Sequence, residues 1–295
     1  QITAFFMAVY FSGMALLGVP FNAPDLEPLE EAEVALTDEQ TQLFTQIFES
    51  ETKWLASLQL PNGAMPMTYT ANGNVTVNPY FADFAALALL DDAEKYADNV
   101  KAYMDWHFAH LNTAEEDFNG LDGTIYDYVI TMKNGEIVSE DISHPEGADS
   151  YDTTDSYAAT FLSVVYKYFT RTGDSAYLTA NAEDLERIVN VIFSNLQGGL
   201  TYAKPDWRVK YLMDNCEVYE GLIDTVELYD NVLSGLGENY KATADKCAAA
   251  ATEVADTIET ELWLPYLGHY QVGAWKNSGI TSDVFFWSKY YPCAT

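Results

Sequence analysis

The chain has 295 residues, 48% of them hydrophobic, enough to bury one large core or two modest ones and too apolar for a disordered tail. It sets 45 acidic residues against 14 basic ones, a formal charge of −31, which repels nucleic acid and anionic membrane surfaces. An aromatic share of 14%, with 21 Tyr and 6 Trp, joins flat amphipathic side chains to surplus carboxylates, a combination suited to neutral sugars.

Residues 2–19 carry no charge. They read as the apolar part of a secretory signal peptide, or as a membrane anchor at the lower length limit for a span. Residues 1–20 are therefore assigned to a signal or anchor, and a secreted or otherwise extracytoplasmic protein is expected. Residues 21–36 are acidic and contain Pro without apolar periodicity, as an exposed leader would. The folded part is expected over 37–295.

TDEQ at 37–40 opens a capping box, and Leu43, Phe44, Ile47, Phe48, Trp54 and Leu55 mark the apolar face of a first helix that stops at LPNG, 60–63. Alternation over 64–77 around Asn72-Gly73 predicts a β-hairpin. The stretch 79–90 is apolar nearly all round and predicts a helix buried on every face. The next helix, 93–111, carries Glu94, Asp98, Lys101 and Asp105 along one side. A long excursion over 112–150 contains a predicted strand, 123–131, in which Tyr126 and Tyr128 share a face and Asp127 points away. A second hairpin turn follows at Asn134-Gly135.

SYDTTDSY at 150–157 leads into another apolar helix. Tyr157, Phe161, Val164, Val165 and Tyr168 recur at helical spacing, Thr154 or Asp155 can cap the start, and Gly173 closes the end. A charged helix over 175–196, a turn at Gly198-Gly199, an apolar helix over 214–233 and a polar-faced one over 240–263 follow. SDVFFW at 282–287 reads as one more buried helix beginning. Buried helices thus start near Pro79, Asp155, Asp214 and Asp283, a loose period of about 60–75 residues that stacked helical hairpins closing into a double-layered toroid would produce. All inner helices of such a toroid run the same way, so the four lead-ins share one mouth.

The alternation resembles secreted bacterial members of the six-hairpin glycosidase superfamily. The motifs that carry the likeness are QLPNGAM at 59–65, YDTTDSY at 151–157 with TGD at 172–174, and YLMDNCEVY at 211–219. Over 37–295 the resemblance implies an all-α fold, an (α/α)6 toroid with short β-hairpins on the cleft face. Four outer/inner pairs are countable where six are expected. The toroid is therefore read as incomplete, with roughly a hundred residues lacking at the repeat length observed.

Glycoside hydrolysis needs a carboxylic acid to protonate the leaving oxygen and a carboxylate to activate water or attack the sugar. The lead-ins supply Asp152, Asp155, Asp214 and Glu217. Asp155 at a helix N-terminus is expected to stay ionised, which suits a base, though an N-cap alone explains most such residues. Glu217, one turn after Asp214 and among Cys216, Val218 and Tyr219, gains the raised pKa of an acid if desolvated; a capping Asp214 and a solvated Glu217 are the bland alternative. The resemblance implies acid and base at the N-terminal ends of inner helices, with inversion common, and does not assign the roles.

Trp207 and Arg208 stand on the loop KPDWR, 204–208, before the third buried helix. Trp207 there can stack on sugar, where the alternative is a core Trp. Tyr126, Tyr128, Tyr151, Tyr211 and Tyr80 are further substrate-binding candidates, with Trp275 and Trp287 below them. His107, His110, His144 and His269 lack ligand spacing with Cys or Glu, and His107 and His110 read as surface or edge residues. Cys216, Cys247 and Cys293 form no framework and read as buried thiols. A calcium loop counted from Asp117 fails at Leu121 and Tyr128. No metal and no cofactor are expected, and a carbohydrate is the expected partner of a monomeric protein. The first reading is a glycoside hydrolase of oligo- or polysaccharides, probing two alternatives: a non-catalytic glycan-binding protein on the same toroid, and a polysaccharide lyase or sugar epimerase.

Overall fold

In the computed structural model, residues 36–69, 73–144, 150–265 and 268–274 are described. The signal or anchor at 1–20, the leader up to residue 35, Trp275, Trp287, Cys293 and the expected fourth buried helix lie outside them. Among the described residues no helix is long and apolar enough to cross a membrane.

Helix α1, Asp38–Leu58, starts at the expected capping box: Gln40 N donates to Thr37 Oγ1 at 3.2 Å and Thr37 N to Gln40 Oε1 at 3.0 Å. Its apolar face departs from expectation. Leu43, Phe44, Ile47, Phe48 and Trp54 are exposed, and Leu55 alone of the predicted face is partly buried and packs on the core. Helix α1 meets α2 (Pro79–Leu89) and nothing among the described residues covers the remainder of that face.

Strands β1 (Thr68–Tyr69) and β2 (Asn74–Val77) pair antiparallel as the hairpin signal predicts, with the turn residues 70–72 outside the described set. Helix α2 is capped by Asn78, whose Oδ1 accepts from Phe81 N at 3.2 Å, with Pro79 pre-set at its first position. A 3-10 turn, Leu90–Asp92, leads to α3, Ala93–Ala109. Strands β3 (Tyr128–Lys133) and β4 (Glu136–Ile142) turn at Asn134 and Gly135, both at positive φ, and complete a sheet of order β1-β2-β3-β4.

Helix α4, Asp155–Thr172, ends at Gly173 with φ of 70°. The charged helix expected next is broken at Asn181 into α5, Ser175–Ala180, and α6, Ala182–Asn195. Strands β5 (Leu196–Gln197), β6 (Leu200–Thr201) and β7 (Lys210–Tyr211) precede α7, Leu212–Asn231. Then come α8, Glu238–Thr257, a π-helical turn, Ile258–Leu262, and strands β8 (Trp263–Leu264), β9 (His269–Tyr270) and β10 (Gly273–Ala274).

Helices α2, α4 and α7 form the inner layer; α1, α3, α5 with α6, and α8 form the outer one. Helix α4 is central, packing on α7, α2, α6 and α3, while α7 backs onto α8. Phe161, Leu162, Val164 and Val165 on α4 are fully buried, about 1.5–3 kcal/mol of transfer free energy each. The fold is an incomplete (α/α)6 toroid. One expectation about the inner helices fails: α2 is not buried on every face, because Phe81 and Phe84 stand exposed on cavity walls. Apolar residues all round an inner helix serve two surfaces, the interhelical core and the lumen. His107 also departs from expectation. It is buried and stacked on Phe161 at 3.5 Å, and burial holds its pKa well below the usual histidine value.

Candidate active site

The N-terminal ends of α2, α4 and α7 converge on one cavity of about 400 Å³, the shared mouth that parallel inner helices imply. Asn78, Tyr80 and Phe81 contribute from α2, Asp152, Thr153, Ser156 and Tyr157 from α4, and Tyr211 to Asp214 from α7. Ala203, Trp207 and Val272 supply the remaining wall.

Strand β6 and the residues after it stitch the second and third lead-ins together. Thr154 N donates to Ala203 O at 2.6 Å, and Thr153 Oγ1 to the same oxygen at 3.1 Å. Asn195 Nδ2 donates to Thr154 Oγ1 at 2.9 Å. On the other side Asn215 Oδ1 accepts from Thr201 N at 2.7 Å, and Asn215 Nδ2 donates to Tyr211 O at 2.8 Å. Sequence reasoning missed Thr201 and Ala203, which have no motif of their own, and Asn215, which lies within YLMDNCEVY but is given no role there.

Asp155 is fully buried in this stitching rather than presented to the cavity. Its Oδ1 accepts from Thr153 Oγ1 at 2.5 Å and Ser156 N at 2.8 Å, its Oδ2 from Thr201 Oγ1 at 2.6 Å. Burial lifts its pKa to about 6, outweighing the donors from Thr153, Thr201 and Ser156, so the carboxylate sits above its ordinary range and is still mainly ionised at neutral pH. Thr154 occupies the cap position and makes no side-chain cap bond.

Asp214 and Asp152 are the carboxylates that line the cavity. Asp214 is only 3% exposed, and burial, followed by the charges of Asp155, Glu217 and Asp152, pushes its pKa well above the usual carboxylate range. Asp152, on the lead-in to α4, is exposed to solvent. Glu217 lies one turn along α7 and faces a second cavity of about 300 Å³, walled also by Phe84, Thr160, Glu220 and Asp224. Tyr80 OH donates to Glu217 Oε1 at 2.6 Å. Burial raises Glu217 to about 7, against the lowering effect of the Tyr80 and Ser156 hydroxyls. Ser156 is close enough to exert that effect, yet its Oγ and Glu217 Oε2 are both buried without a hydrogen bond of acceptable geometry.

Trp207 is 45% exposed at the rim and its Nε1 donates to Tyr211 OH at 3.0 Å, so its indole is no core residue. Tyr80, Trp207 and Tyr211 are therefore brought together on the cavity wall. Tyr126, Tyr128 and Tyr151 are buried away from it: Tyr126 stacks on Tyr151 at 5.3 Å, and Tyr128 packs against Trp106 at 5.6 Å. Residues 123–127 form turns and loop instead of the predicted strand, which begins at Tyr128. Arg208 is exposed, with Nε donating to Pro205 O at 3.1 Å, and does not line the cavity. A triad not read from the sequence supports the far wall. Asn78 Nδ2 donates to Tyr157 OH at 2.6 Å and to Asp127 at 3.2 Å, and Tyr157 OH donates to Asp127 Oδ1 at 3.0 Å. Burial raises Asp127 to about 6. Among the described residues no group of three or more His, Cys, Asp or Glu could hold a metal ion.

No family model and no curated protein sequence matches the chain. Solved structures do. The chain is similar to a glycosidase at 13% identity, TM-score 0.53, over 78% of this chain and 60% of that one. It is similar to an unsaturated glucuronyl hydrolase specific for heparin at 12% identity, TM-score 0.54, over 79% and 62%. A UGL variant with dGlcA-Glc-Rha-Glc matches at 12% identity, TM-score 0.55, over 79% and 62%. The chain carries their toroid. It spans about three fifths of the length of these neighbours, which are hydrolytic enzymes built on (α/α)6 barrels.

Proposed function

We propose that the protein is a glycoside hydrolase acting on an oligo- or polysaccharide, with Asp214 as the proton donor and Asp152 as the carboxylate that activates water. The support is the pairing of a buried carboxyl of raised pKa with an exposed one in a cavity rimmed by an exposed indole. Asp214, its pKa raised by burial, delivers a proton to the glycosidic oxygen as the bond to the anomeric carbon breaks. Asp152, open to solvent, takes the proton of a water approaching the opposite face of the ring, which inverts the anomeric centre. Asp155 positions Asp214: held by Thr153, Thr201 and Ser156, its charge discourages ionisation of its neighbour. Trp207 stacks on the ring, and Tyr80 and Ser156 receive sugar hydroxyls on the cavity wall. An extracytoplasmic setting accords with the apolar residues 2–19.

The test is hydrolysis of a glycan panel by the purified protein, with the product anomer followed by NMR. Inversion is expected, and Asp214→Asn is expected to lower kcat by about 10²–10⁴-fold with an essentially unchanged thermal midpoint. Wild-type turnover in that variant would remove Asp214 from the acid role. Binding of glycans without any turnover by the wild type would favour the non-catalytic reading.

A further inference from the structure

The mouth gathers acidic groups around a ring-sized space. Asp152 and Asp214 line it directly. Asp155 and Glu217 lie close enough behind to raise the pKa of Asp214, and Asp127 close enough to Asp152 to be raised by it. The basic residues of the rim are turned to other partners. Lys204 Nζ donates to Tyr151 O at 3.2 Å, Arg208 donates to Pro205 O and lies 5.8 Å from the Tyr202 ring, and Lys210 donates to Gln197 O. Of the residues lining the cavity, the charged ones are both carboxylates.

The same walls offer what a sugar without charge needs. Trp207 and Phe81 expose aromatic surface at the rim. The Ser156 hydroxyl, 1% exposed and without a partner, lines the cavity and waits for a hydroxyl to pair with. A hydroxyl both donates and accepts, so Ser156 can pair with a neutral sugar hydroxyl in either role.

We infer that this cavity takes an uncharged sugar ring stacked on Trp207 and discriminates against uronic acids and sulfated sugars. The inference rests on the hydrolase reading for its choice of ligand class, and it separates this chain from the glucuronyl hydrolases whose toroid it shares. A carboxylate or sulfate entering the mouth meets the solvent-open Asp152 carboxylate, and among the described residues no cation lines the cavity; specificity built on such repulsion needs no added attraction for the preferred ligand.

The experiment is calorimetric titration of the intact protein with three matched pairs: glucose and glucuronate, galactose and galacturonate, mannose and mannuronate. At low salt at least one neutral sugar is expected to bind ten-fold or more tightly than its uronate, and the gap is expected to narrow in 0.5 M NaCl, roughly the regime in which surface charge is screened. Phe81→Arg, at an exposed position on the cavity wall, is expected to narrow the same gap by strengthening uronate binding several-fold. Uronate binding as tight as that of its neutral partner, or tighter, overturns the inference. A failure of all six sugars to bind overturns both it and the hydrolase reading. Preferential neutral binding by a protein that turns over no glycan sinks the hydrolase reading and leaves the specificity standing.

Discussion

Asp155 and Asp214 show how two aspartates at equivalent helix starts acquire different work. Asp155 receives three donors and is sealed; Asp214 is nearly as buried, which raises its pKa, but opens onto the cavity. Removing the Asp155 carboxylate leaves Ser156 N without its acceptor in a buried place, at about 1–3 kcal/mol, while Thr153 Oγ1 and Thr201 Oγ1 can turn to Ala203 O and Asn215 Oδ1, both at 3.1 Å. Asp155→Ala is therefore expected to lower unfolding stability by about 1–3 kcal/mol in a denaturant titration. A loss below about 1 kcal/mol would mean that the cradle is not the role of this residue. Trp207→Ala tests the opposite case, since the indole is exposed. It is expected to raise KM about 3–10-fold, the equivalent of about 0.5–1.5 kcal/mol of stacking, with the thermal midpoint unmoved; an unchanged KM would exclude sugar stacking there.

At the scale of elements, the position of Asp214 depends on how closely α7 approaches α4. Gly221 makes that approach possible, because a Cβ there would stand 2.7 Å from Ala159 O and 2.8 Å from Ala159 Cα. Gly221→Ala is expected to destabilise by about 1–3 kcal/mol through overpacking and to lower kcat by moving Asp214 away from Asp155. Unaltered stability in thermal denaturation would show that the helices part freely. These elements were largely legible in the sequence because inner and outer helices differ in periodicity, and caps such as Thr37 and Gly173 are local signals. The shared mouth followed from the parallel direction of the inner helices. What escaped was non-local: Thr201 and Asn215 matter through strand β6, which brings two lead-ins together, and Tyr126 through a loop conformation that periodicity does not encode. The lumen misled in the other direction, since Phe84 reads as core and lines a cavity.

Across the whole molecule, the formal charge of −31 and the buried carboxylates act on stability in the same direction. Asp127 and Asp155 are raised to about 6, Glu217 and Asp224 to about 7, in each case first by burial. A carboxylate whose folded pKa exceeds its unfolded value stabilises the fold while it stays protonated, and that stability is lost as pH rises through the folded pKa. Buried neutral His107 works the other way, losing stability as pH falls below the usual histidine pKa. The thermal midpoint is therefore expected to be higher near pH 5 than at pH 8, and to recover partly with added NaCl at pH 8 as self-repulsion is screened. A midpoint that climbs steadily from pH 5 to pH 8 would contradict this balance of burial and charge.

The last described strand has a consequence for how the mouth comes into being. Strand β10 pairs with β7, Gly273 opposite Tyr211, and Leu212 N donates to Val272 O at 2.7 Å, so Val272 becomes part of the wall beside Asp214. Gly273 passes so near Lys210 that a Cβ would lie 2.6 Å from its carbonyl oxygen. As the chain leaves the ribosome, the acid, the stacking indole and the wall hydroxyls all emerge well before this strand. A nascent chain halted between Glu217 and Val272 therefore carries every proposed catalytic side chain but an unfinished wall, and sugar binding should begin only once the β7–β10 clasp has closed.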